Sequence, residues 1–262
     1  MLPGMDADRI EGRVRALLAT AEHPATPRPE AEAAHAKAAE LMMRYALDEA
    51  SLRAERGERP EPVVYWERVA SGAGGHARAR SAACGAVIRA HGGRYAVRGD
   101  GAYRRDITLL VVTTRAARDA LALLLPSLDL QAEGAAHRVT DAYMRTIPEE
   151  AFARASDRSR WANGYFRAFL VGHADAVARR IEAARVRLRE EAATAACAGA
   201  TRALVLVGDE ERVSAEFRAR FPALGRGRGQ RVRADGYSAG QAAGRRADLG
   251  TGGLGGPRAA LS

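Results

Sequence analysis

The chain has 262 residues, 47% of them hydrophobic, with two cysteines and a formal charge of +9. A chain of that length buries roughly 70% of the surface it would expose when unfolded, so a core needs neither disulfides nor a structural metal. No apolar run approaches the roughly 20 residues of a membrane helix, which excludes a spanning segment. Cys84 and Cys197 match no CxxC or metal spacing. The start MLPGMDADRI lacks the basic and then apolar pattern of a secretory leader. A cytoplasmic protein with free thiols is expected.

From Asp6, the apolar stripe Ile10, Val14, Leu17 and Leu18 predicts an amphipathic helix. Pro24, Pro27 and Pro29 end it, because each lacks an N–H and pushes its predecessor out of the α region. A second helix is predicted over about 30–47, with Ala34, Ala38, Leu41, Met42 and Tyr45 on its buried face, which makes a helical hairpin. Residues 53–62, charged and Pro-bearing, read as a linker.

Strand signals follow at 62–69, 93–98 and 105–113, the last apolar enough for a central strand. A helix is predicted over 75–90, and two more over 115–125 and 128–144, separated at Pro126. The order β-α-β-β-α implies a small sheet with helices on one face. A long helix is predicted over about 158–196, then a short strand at 203–207 (ALVLV) and a helix over 210–221. Gly236, Gly240 and Gly244, spaced by four, form a small-residue helical face suited to close backbone approach. The glycine-rich tail from 250 reads as disordered. The expected fold is α+β: a hairpin (1–52), the linker, and an α+β region (63–249) holding the sheet unit and a long C-terminal helix with a short αβ unit.

Within the hairpin, Leu17-Leu18-Ala19, Ala21-Glu22, Glu32-Ala33, Ala36-Lys37-Ala38, Glu40-Leu41-Met42, Tyr45 and Asp48 resemble the bacterial and phage family called domain of unknown function 2786. The resemblance covers about residues 9–50. The remainder looks like the α+β region of long actinobacterial members. The resemblance implies relatives and a hairpin, and carries no activity, cofactor or catalytic residue.

Charge is uneven along the chain. Residues 1–60 carry −2, 61–150 +2, 151–200 +4 and 201–262 +5. Lys37 is the only lysine among 41 basic residues, which points to coding bias as one source of the arginines. The cations best placed to contact phosphates are Arg179, Arg180, Arg185, Arg187 and Arg189 on the long helix and Arg226, Arg228, Arg231 and Arg233 in the glycine-rich loop and just beyond it. They give the leading expectation: non-catalytic binding to nucleic acid or to a nucleic-acid-processing protein, with no cofactor.

Two other readings remain open. Asp129, Glu133, His137 and Asp141 share one helix face, and a carboxylate–imidazole ladder can hold a divalent metal or move protons. HExxH is absent, and a solvated face explains the same spacing. The hairpin could instead be a protein-interaction adaptor that exposes Leu41, Met42 and Tyr45. His173 reads as a core or interface histidine, Cys84 as a buried inert thiol, and Trp66 and Trp161 as packing anchors.

Overall fold

The computed structural model describes residues 3–23, 34, 37, 38, 41, 42, 45, 59–73, 75–99, 105–194, 198–225 and 232–246. Most of the predicted linker, the tail from 250, Cys197, Arg226, Arg228 and Arg231 lie outside that set.

Helix α1 (Pro3–Glu22) buries Val14 and Leu18 and half-buries Ile10 and Leu17, the stripe read from its spacing. The described residues of the second arm, Ala34, Lys37, Ala38, Leu41, Met42 and Tyr45, are helical. Ala38 joins Val14, Leu18 and Leu124 in one apolar cluster, with Leu41, Met42 and Leu128 against it. The hairpin therefore docks on the helix that carries Leu124, and Leu41 and Met42 are half-buried there.

Three antiparallel strands, β1 (Val63–Ser71), β2 (Arg94–Arg98) and β3 (Asp106–Thr114), pair in the order β1-β3-β2. The central register sets Trp66 opposite Val111 and Val111 opposite Tyr95. Alternation along β3 turns Ile107, Leu109 and Val111 to one face and Val112 to the other. The first face packs on α2 (His76–Ala90), α3 (Arg115–Arg145) and α4 (Ala155–Thr194), through Val87, Ile88, Leu121, Leu125, Val177 and Ile181. Trp66 packs against this core and its Nε1 donates to the Thr113 hydroxyl at 3.1 Å.

Three expectations are corrected. The break at Pro126 does not occur: α3 runs through it. Pro126 and Ala122, whose carbonyl loses its intrahelical partner, are both exposed, so water can satisfy that oxygen while Leu121, Leu124, Leu125 and Leu128 hold both halves on the core. The strand at 203–207 is the interior of a helix, α5 (Ala198–Arg220). A five-residue apolar run has no period of its own, and helix-forming residues on both sides extend through it. Finally, helices lie on both sheet faces. Helix α5 meets the second face, where Arg220 sits 4.8 Å from the Tyr65 ring centroid and Val213 and Val112 are buried.

The last helix, α6 (Ala234–Arg246), lies along α4. A Cβ on Gly236 would be 2.6 Å from the Tyr165 carbonyl oxygen, and one on Gly244 2.6 Å from that of His173. The glycine face does what its spacing predicts. His173 is buried beside Phe169. Among the described residues, no helix is long and apolar enough to cross a membrane.

Candidate anion-binding cleft

Helix α2 stops because Gly92 takes a left-handed conformation (φ +81°), with its N–H on the Arg89 carbonyl at 2.8 Å and that of Gly93 on the Ile88 carbonyl at 3.0 Å. Neither position has room for a side chain. A Cβ on Gly92 would be 2.8 Å from the Arg185 guanidinium, and one on Gly93 2.7 Å from the Thr113 methyl. The turn is short enough that Arg89, in the last turn of α2, and Arg94, the first residue of β2, border the same cleft.

Helix α4 supplies Glu182, Arg185 and Val186 to that cleft, and α5 supplies Glu210 and Ser214; its volume is about 350 Å³. Arg185 is fixed in place: Nη1 donates to the Ala90 carbonyl at 3.0 Å and Nη2 to Glu210 Oε1 at 2.6 Å. Its charge thereby faces the negative end of α2. Arg94 Nε donates to the Ser214 hydroxyl at 3.3 Å, and Arg89 Nη1 to the Tyr95 hydroxyl at 2.6 Å. His91, buried at the end of α2, has its imidazole pushed down to about 4, by burial first and then by the Arg185 charge. It is neutral near pH 7.

The predicted arginines divide sharply. Arg185 lines the cleft, and Arg179 and Arg187 are exposed on α4. Arg180 donates to the Gly244 carbonyl at 3.3 Å, at the end of α6. Arg189 belongs to α4, and its side chain is outside the described set. Arg233 lies 3.5 Å over the Trp161 ring and pairs with Asp235 at 2.6 Å, so Trp161 anchors a cation as well as packing. Of the five whose side chains are described, Arg180, Arg185 and Arg233 are held against neighbouring elements, and Arg179 and Arg187 face solvent.

The carboxylate–imidazole face is also divided. Asp129 pairs with Arg68 at 2.5 Å, and Glu133 with Arg80 at 2.5 Å. His137 lies against the Phe166 ring at 4.7 Å, and Asp141 is exposed. No group of three or more His, Cys, Asp or Glu among the described residues is placed to hold a metal ion. Burial raises the Asp129 carboxyl and Arg68 opposes it. The Cys84 thiol, 3.6 Å from Asp129 Oδ1, is pushed up to about 12 by burial and then by the Asp129 charge.

Sequence reasoning missed Arg89 and Arg94. Their signal was local, a Gly-Gly helix stop with one arginine three residues before it and another immediately after it. Their convergence with Arg185, some ninety residues on, is a property of the fold.

No curated protein and no solved structure matches the chain. A family model described as Protein of unknown function (DUF2786) matches residues 9–49, the segment whose described residues dock on α3.

Proposed function

We propose that the protein is a non-catalytic, nucleic-acid-binding protein that contacts phosphates through the cleft of Arg89, Arg94 and Arg185. The observation that supports this reading is the convergence of three guanidinium groups, from α2, β2 and α4, on one concave polar surface. Guanidinium presents a planar fork of donors that matches two phosphate oxygens at once. Arg98, four residues along β2 and on the same sheet face as Arg94, is exposed and extends the basic edge, although it shares its charge with Glu67 at 2.7 Å. The net charge of +9 adds long-range attraction for polyanions.

The test is a filter-binding or mobility-shift titration against random-sequence duplex and single strands at two salt concentrations. Each phosphate neutralised contributes about −0.7 to −0.9 to the slope of log K against log salt. Arg94→Ala weakens binding across all sequences and reduces that slope by about 1. Absence of salt-sensitive binding at micromolar protein defeats the reading.

A further inference from the structure

The cleft differs from a groove for a continuous phosphate backbone in two respects. Its volume of about 350 Å³ is near the lower end of small-ligand sites, which run to about 300–1,000 Å³. Its lining also includes carboxylates: Glu182 and Glu210 stand among the three arginines, with the Ser214 hydroxyl beside Arg94. Carboxylates repel a second and third phosphate, whereas they accept hydrogen bonds from sugar hydroxyls and base amino groups. A single phosphate with hydroxyl donors attached satisfies both signs of charge.

The cationic side of the cleft is pre-formed. Arg185 is held from two directions by the Ala90 carbonyl and Glu210, and Gly92 leaves the space its guanidinium occupies. Ordering these groups on binding therefore costs little. Resting on the nucleic-acid reading above, we infer that the cleft is a terminal-nucleotide site: it takes one phosphomonoester-bearing nucleotide, with the phosphate on Arg89, Arg94 and Arg185 and the sugar hydroxyls toward Glu182 and Glu210. The same chemistry is offered by a free nucleoside 5′-monophosphate and by the 5′-phosphorylated end of a strand.

Calorimetry on the full chain with adenosine 5′-monophosphate, adenosine and inorganic phosphate, and anisotropy with one oligonucleotide bearing either a 5′-phosphate or a 5′-hydroxyl, test the inference. The expected result is at least tenfold tighter binding of the monophosphate than of adenosine or phosphate alone, or the same preference for the phosphorylated strand. The first outcome assigns the free nucleotide and the second the strand end. Arg94→Ala, at an exposed position, abolishes the preference, and Glu182→Gln weakens the nucleotide without affecting inorganic phosphate. Salt-sensitive binding of both strands with no end preference, and no nucleotide binding, overturns the inference and leaves the general reading standing. Loss of all strand binding with nucleotide binding retained overturns the general reading and keeps the cleft assignment for free nucleotides. Loss of every interaction overturns both.

Discussion

Gly240 faces the main-chain carbonyl of Phe169 so closely that a Cβ built on the glycine would fall inside van der Waals contact with that oxygen. Gly236 and Gly244 repeat the relationship one turn away on either side, against Tyr165 and His173. The contact between α4 and α6 is therefore backbone on backbone, with Cα–H groups against carbonyl oxygens. Gly240→Ala is expected to destabilise the fold by about 1–3 kcal/mol through overpacking. A Cβ on Gly208, within α5, would meet nothing within 4 Å, and Gly208→Ala should be neutral or stabilising by about 0.5–1 kcal/mol through helix propensity. Urea midpoints of the two variants measure the contrast.

That glycine face was legible because its spacing is local and its chemistry unambiguous. The same holds for β3, whose run of apolar residues marks a central strand, and for α4, whose 3.6-residue period is sustained along the helix. What could not be read depends on context. Whether Pro126 ends a helix depends on what faces its missing N–H, and here that is solvent. Whether 203–207 is strand or helix depends on its neighbours, because the run itself carries no period. The cleft joins Arg89, Arg94, Arg185 and Glu210, and no local pattern spans those separations. Counting arginines located an excess of charge, while the fold determined that Arg180 and Arg233 would be used as clamps.

The exposure of Pro126 leads to a stability prediction. Alanine at this position restores an N–H to bond the Ala122 carbonyl and removes the ring from the helix interior, at a site whose side chain faces water. Pro126→Ala is expected to stabilise the protein by about 1–3 kcal/mol. Thermal unfolding of the two proteins is the measurement, and a lower midpoint in the variant would mean that α3 depends on the bend proline imposes.

Cys84 should be inert in the folded chain. Its thiol is held near 12 against a reference of 9.0, so at pH 8 the thiolate is about a thousandfold scarcer than in the unfolded chain, and burial blocks the reagent as well. In a Cys197→Ser background, Ellman's reagent is expected to titrate one thiol rapidly in denaturant and to react with the native protein only on the timescale of opening. Fast reaction under native conditions would place Cys84 outside the core.

Acid stability should fall in two separate windows. Burial and the Arg185 charge hold His91 at about 4 in the folded chain, against a reference of 6.5. Because the folded value is the lower one, its contribution is complete above about 6.5 and is lost as the pH falls from there toward 4; the full difference amounts to about 3 kcal/mol. Asp235 follows at lower pH. The Arg233 hydrogen bond first, with help from the Tyr143 hydroxyl at 2.8 Å, holds its carboxyl at about 2 against 3.8. Its contribution is complete above about 4 and is lost as the pH falls toward 2, and with its side chain about a third exposed it is worth about 1 kcal/mol after solvent screening. Urea midpoints between pH 8 and 2 check both steps. His91→Gln should flatten the upper window and keep the lower, Asp235→Asn the reverse, and a wild-type profile flat from pH 7 to 4 would show that the imidazole at the end of α2 reaches water.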